Sequence, residues 1–414
     1  MNYDVVIVGA GIAGLSCAKL LQENKKSFVI LEASNLPGGR IKTETVDGFQ
    51  MDHGFQVLQT GYPEASKALN FEKLKLKKFP AGVAVRYNKK FHIIADPRRH
   101  PRYLLSTLSS PIGTLKDRLL MLKLAKDVCR GSLEQLFDQE EKPAMVFLQD
   151  WGFSSEFITR FFVPFFAGAC LDPKINASSH VLKYIFRVFA QGDASLPSRG
   201  MGEIPLQIAE SLPRESIKYN SKVIQLDDTR VTIEDGTIFH GRTVVLATSQ
   251  NVLPDLVTSV SARPSIGECC LYYSTDWLPP FKEPFLVLNG EGRGPINNIA
   301  FPSLVAADYA PPGKTLIAAV VLGKENMTMV DLEQRVRNQC VDWFGREAEN
   351  WDHMQTVSIE HALPVQDPPT SPPYILPEPV NKSLRIIGEY QSLPGIQWAL
   401  LSGRMAAESI ISET

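Results

Sequence analysis

The 414-residue sequence contains no apolar run approaching the roughly 18 residues that a membrane-spanning helix needs, no internal repeat and no low-complexity block. Its six cysteines (Cys17, Cys129, Cys170, Cys269, Cys270 and Cys340) form no C-x-x-C pair and join no histidine at zinc-ligand spacing. A metal centre is therefore not expected, and a reducing compartment is. Neither sign of charge dominates: Lys+Arg 43 against Asp+Glu 45 gives a formal net charge of −2, which leaves no whole-molecule field to draw in nucleic acid. No leader with a charged and then an apolar region precedes the first strand, which begins within a few residues of Met1. The expectation is a soluble cytoplasmic protein, or one that rests on a membrane surface. No acid–base pair of side chains stands out, so the sequence names no catalytic residue and leaves oligomeric state open. What it does have is bulk: at 44% hydrophobic residues the chain can bury a large core, and two domains are expected.

The most informative stretch is residues 1–40. Val5-Val6-Ile7-Val8 is β-branched and uninterrupted, as a strand buried on both faces of a parallel sheet is. Gly9, Gly11 and Gly14 then supply G-x-G-x-x-G at a strand-to-helix turn, with Ile12 and Ala13 opening the helix. The spacing lets Gly9 turn tightly, Gly11 admit a pyrophosphate against backbone, and Gly14 pack helix on strand. Phosphates at that helix N-terminus meet unpaired N–H groups and the positive end of the dipole. A second strand, Ser27 to Leu31, ends at Glu32 and Ala33, where a carboxylate is placed to take hydrogen bonds from an adenosine ribose. The next loop carries Gly38-Gly39-Arg40, which lets backbone and a guanidinium reach the same pyrophosphate from its other side. More than three hundred residues later, Leu384 to Ile387 reads as a strand, followed by Gly388-Glu389-Tyr390 and by a helix from Gly395 to the end. That is a second anion-binding arrangement.

With the double-glycine arginine loop and the C-terminal strand–Gly–Glu–helix unit in place, the sequence resembles the flavin amine oxidase superfamily. Amine oxidases, protoporphyrinogen oxidase and carotenoid desaturases belong to it. The match is strongest at both ends and closest in pattern to the desaturase-like members. The resemblance implies non-covalent FAD, since no Cys lies between Tyr390 and Trp398 to form a thioether. It also implies that Gly54, Phe55, Gln56 and Val57 run beside the isoalloxazine ring, that Val223 brackets the adenine, and that Gly388, Glu389, Ile396, Gln397 and Ala399 hold the flavin half. One departure from amine oxidases is the lack of a lysine in Cys269 to Trp277. The implied fold is α/β, a Rossmann-like FAD-binding domain with a discontinuous α+β substrate domain of mixed sheet plus helices. Residues 1–72, 200–255 and 380–414 are assigned to the first, and 73–199 and 256–379 to the second.

Between the two ends the pattern is weaker. Lys73 to Phe79 alternates lysine with apolar residues as a strand with a cationic outer face does. Arg86 to Arg102 is basic and precedes Tyr103-Leu104-Leu105, which reads either as a solvated face or as a surface for an anionic bilayer. Leu119, Leu122, Leu124 and Val128 fall at helical spacing, followed by Leu136 and Phe137, so Leu115 to Phe137 is expected to be one helix and its sequel. Glu156 to Gly168 and His180 to Phe189 are dense in phenylalanine, either deep core or the lining of a hydrophobic tunnel. A helix is expected over Leu206 to Leu212, an antiparallel pair over Lys218 to Leu226 and Arg230 to Glu234, and a proline-dense connector over Pro364 to Pro379. His53 is either a titrating group or a structural one. The expected activity is hydride removal from a C–H bond of an apolar substrate, isoprenoid or tetrapyrrole in class. The alternatives are an amine oxidase, with Tyr390 and Trp398 as members of an aromatic pair, and a flavin-bound scaffold without turnover.

Overall fold

In a computed structural model that describes residues 2–323, 327–375 and 380–413, two seven-stranded sheets divide the chain. Residues 376–379 of the expected connector, and the terminal residues 1 and 414 of the expected cofactor domain, lie outside the described residues. The first sheet is built on Asn2–Val8, whose central residues are buried on both faces. It pairs in parallel with Phe28–Leu31 on one side (Val5 opposite Phe28) and with Ile238–Leu246 on the other (Val5 opposite Thr243). The far half of Ile238–Leu246 also takes Leu384–Ile386 in parallel, so the last strand of the chain completes the sheet begun by the first. Its near half instead pairs with the antiparallel hairpin Val223–Asp227 and Arg230–Ile233. Ile217–Lys218 does not extend that hairpin, as the sequence reading had it; it leaves to pair in parallel with Phe28–Leu31, the positive-φ residue Asn220 separating the two segments.

The second sheet runs in the order Asp352–Pro364, Ser265–Thr275, Thr315–Leu322, Ile296–Ala300, Leu286–Asn289, Gly82–Tyr87 and Lys90–Ala95. All its pairings are antiparallel except that of Leu286–Asn289 with Gly82–Tyr87. Helix Met329–Phe344 covers it, burying Leu332, Val336, Cys340 and Trp343. A phenylalanine cluster from Ser155 to Cys170 and the helix Ser179–Gln191 forms a separate core beside it.

Asp52, on the two-stranded ribbon of Thr43–Val46 and Phe49–Asp52, ties that ribbon to the second sheet. Its carboxylate accepts from Thr43 Oγ1, the Met201 amide at 2.8 Å and the Tyr309 hydroxyl at 2.8 Å, while its carbonyl accepts from the Tyr272 hydroxyl at 2.9 Å. Burial raises the Asp52 carboxyl to about 6, and the hydrogen bonds oppose that rise.

Two other expectations are corrected. Lys73 to Phe79 is not one strand: Phe71–Leu74 is a helical turn, Lys75 is left-handed, and only Lys77–Lys78 pairs, with the short strand Ala194–Leu196. The helix expected over Leu206 to Leu212 spans Glu203–Glu210. In Leu115–Val128 the apolar residues divide between two faces: Leu124 and Val128 are buried, but Leu115, Leu119 and Leu122 are 64%, 69% and 49% exposed. Spacing of i, i+4 and i+7 put those three on one side of the helix, and that side faces out.

Candidate functional site

A cavity of about 930 Å³ lies between the sheets and takes its walls from both ends of the chain. Of the residues singled out in the sequence, Gly9, Gly11, Ile12, Ala13, Glu32, Ala33, Gly38, Gly39, Arg40, Phe55, Gln56, Val57, Val223, Gly388, Glu389, Ile396 and Ala399 line it. Gly14, Gly54 and Gln397 do not. Gly14 sits behind the turn, where a Cβ would lie 2.1 Å from the Gly9 carbonyl oxygen. It is the close-packing glycine of the motif. Gly54 backs the wall instead of lining it, and Gln397 turns away, its Oε1 accepting from the Glu64 amide at 2.8 Å. His53 is outside the wall as well. Burial and the nearby Lys42 lower its imidazole.

The glycine turn is shaped for close approach. A Cβ on Gly11 would meet nothing within 4 Å, and Gly11 forms a parallel bridge with Gly38, so the two loops stand side by side at the cavity edge. Glu32 is held in place by the turn it serves: one carboxylate oxygen accepts the Ala10 amide at 2.7 Å, and the other accepts the Ser34 amide and hydroxyl at 2.9 and 2.7 Å. A carboxylate offers about four acceptor sites, so capacity remains. Across the cavity Arg40 reaches the C-terminal unit, its guanidinium 2.5 Å from Glu389 Oε1. Glu389 Oε2 accepts the Gly395 amide at 2.6 Å at the start of helix Ile396–Ser412. The Gly388 amide donates to Ser402 Oγ at 3.0 Å. The Thr248 hydroxyl and the Gln59 amide, both in the wall, are buried with no hydrogen-bond partner among the described residues. A polar ligand running along this edge would satisfy such groups. The donors, glycines and orphaned atoms fit a dinucleotide.

The other end of the cavity is greasy. Phe157, Phe161, Phe165, Phe186 and Phe189 line it, whereas Phe162 and Phe166 are fully buried in core, so the phenylalanine segment serves as both tunnel lining and core. Tyr62 and Tyr184 stand in the wall with ring centroids 6.3 Å apart and planes 7° from parallel. Burial raises the Tyr62 hydroxyl to about 12 and also raises that of Tyr184. The expected pair of Tyr390 and Trp398 is not brought face to face. Tyr390 donates to the Ile387 carbonyl at 3.0 Å, and Trp398 packs on Tyr184 with centroids 4.7 Å apart. Glu268, which sequence reasoning passed over, also lines the cavity. It lies on a strand of ordinary β pattern with no motif around it, and only the pairing of distant segments gives it a place.

Two sheets sharing one cavity, walled at one edge by glycine turns from both chain ends, are the architecture of a flavin-dependent oxidoreductase. The chain belongs to the family of flavin-containing amine oxidoreductases, which it matches over residues 12–411. A 153-residue segment is 29% identical to coproporphyrinogen III oxidase of Staphylococcus aureus, covering 32% of this chain and 31% of that protein. A 108-residue segment is 35% identical to hydroxyneurosporene desaturase of Rubrivivax gelatinosus, covering 24% of this chain and 20% of that protein. These aligned segments span less than a third of either relative's length. The fold is shared with an oxidoreductase from Methanosarcina mazei, at a TM-score of 0.75 and 16% identity over 99% of this chain and 100% of that one.

Proposed function

We propose that the protein binds FAD non-covalently and removes hydride from a C–H bond of an apolar substrate of isoprenoid or tetrapyrrole class. The observation that carries this reading is the continuity of the cavity from the glycine turns to a phenylalanine-lined end. In this reading Gly9, Gly11, Ile12 and Ala13 take the pyrophosphate on one side and Gly38, Gly39 and Arg40 on the other. Glu32 and Ala33 take the ribose, Val223 the adenine, and Gly388, Glu389, Ile396 and Ala399 the flavin half. Bound FAD supplies the hydride acceptor. The chain's own part is to orient the substrate and keep water out, a task that in this reading falls to the phenylalanine wall. The cavity wall contains no cysteine, which supports non-covalent binding. Anaerobic mixing of the FAD-loaded protein with a carotenoid precursor, a porphyrinogen or putrescine tests the reading. Bleaching of the flavin by one of the first two is expected; bleaching by putrescine alone would overturn it. An amine oxidase is the second reading, favoured by the parallel rings of Tyr62 and Tyr184 in the wall.

The cavity mouth supports delivery of substrate from a membrane surface. Leu104, Leu108 and Leu122 line the cavity and are also exposed; Leu105, Leu115 and Leu119 extend the apolar patch outward at 79%, 64% and 69% exposure. Arg98, Arg99 and Arg102 beside it are engaged by Asp96, Asp193 and Glu283. The cationic contribution therefore falls to exposed lysines of Leu115–Val128 such as Lys116. The double variant Leu105→Ser/Leu119→Ser should lower co-sedimentation with phosphatidylglycerol vesicles by about tenfold, with FAD content unchanged. Equal sedimentation of the two proteins would exclude this docking face.

A further inference from the structure

Five carboxylates line the cavity: Glu32, Asp96, Asp193, Glu268 and Glu389. Glu32 is taken by backbone amides, Asp96 by Arg98, Asp193 by Lys78 and Arg99, and Glu389 by Arg40 and the Gly395 amide. The Glu268 carboxylate has no hydrogen bond or ion pair with any described residue, although the residue is only 7% exposed. Its surroundings are apolar: Val320 and Ile359 lie in the same wall, and on its own strand Cys270 shares its face.

The loop opposite is built to leave this carboxylate room. Gly54 has φ +85°, a backbone conformation that side chains rarely adopt, and a Cβ there would fall 2.3 Å from Glu268 Oε1 and 2.9 Å from the Ile359 side chain. The Tyr272 hydroxyl, on the same strand face as Glu268, bonds the Asp52 and Gly54 carbonyls at 2.9 and 3.3 Å and fixes the loop against the strand. An unpartnered carboxylate in an apolar wall is costly for the protein alone, and burial pushes Glu268 up to about 7. A purely hydrocarbon ligand would leave it unpaired.

We propose that Glu268 is a substrate-recognition residue that accepts a hydrogen bond from an N–H group of the otherwise apolar molecule bound in the cavity. This rests on the reading of the cavity as an apolar substrate site and narrows it, selecting N–H-bearing ring systems over hydrocarbons. Above about pH 8, where the Glu268 carboxyl is ionised, a hydrogen bond to this charged acceptor corresponds to about a 10- to 100-fold preference.

Carbazole and fluorene have the same tricyclic shape with and without an N–H, and their binding to the FAD-loaded protein can be followed by ligand fluorescence independently of turnover. The wild-type protein is expected to bind carbazole at least about tenfold more tightly, and Glu268→Met is expected to bind the two equally while keeping its affinity for fluorene. Should Glu268→Met fail to fold, Glu268→Gln, which keeps the shape and loses the charge, should reduce the preference at least threefold. Equal binding of both ligands by wild type, or a preference that survives in the Glu268 variants, would overturn the proposal and leave the apolar cavity standing. Binding of neither ligand would overturn both.

Discussion

Gly403→Val is expected to destabilise the folded chain by about 3 kcal/mol, at the upper end of what overpacking costs. Gly403 lies inside the C-terminal helix Ile396–Ser412 where that helix crosses the first one, Ile12–Glu23. A Cβ there would stand 2.1 Å from the Ala13 carbonyl oxygen and 2.9 Å from the Cys17 amide, and neither is the end of a flexible side chain. Only separation of the helices relieves the overlap. Separation would break the Ser16 hydroxyl bond to the Leu400 carbonyl at 2.8 Å and open the contact that brings the two cavity-lining turns together. Urea denaturation followed by circular dichroism reads the effect. A midpoint unchanged from wild type would show that the helices do not meet at Gly403.

Gly11→Val is expected to do the opposite, keeping the fold and losing the cofactor. Gly11 has φ −71°, which any residue adopts, and its Cβ direction is open. A side chain there extends into the cavity edge beside Gly38 and Gly39, where backbone is to approach the pyrophosphate. FAD affinity should fall about 100-fold, close to 3 kcal/mol, with the urea midpoint within error of wild type. Retention of full flavin absorbance after gel filtration of this variant would refute the assignment of the turn as the phosphate site. Together the variants separate two uses of glycine: Gly403 and Gly14 allow backbone to pack on backbone, and Gly11 leaves room for something that is not protein.

The ends of the chain were legible in the sequence because their requirements are local. A β-branched run, glycines at fixed spacing and a carboxylate at the tip of the next strand specify a β-turn-helix-β unit within forty residues. The C-terminal strand, Gly388, Glu389 and the following helix read the same way. The middle was harder. The hairpin expected to begin at Lys218 lost its first residues to another sheet partner, and Lys73 to Phe79 had an alternating pattern without a partner long enough to make it a strand. Leu119 and Leu122 have the spacing of a buried face and are exposed, since periodicity says which residues share a side of a helix and not which side meets the core.

By itself, then, the amino-acid order determined the family and the glycine turns at both chain ends, because backbone conformation and the absence of a Cβ are properties of single residues and their neighbours. Tertiary structure alone decided that Arg40 meets Glu389, that Tyr62 faces Tyr184, and that Glu268 stands unpaired opposite Gly54. Those are facts of burial and pairing between segments far apart in the chain. A carboxylate on a strand carries no mark of its partners until the sheets close around it.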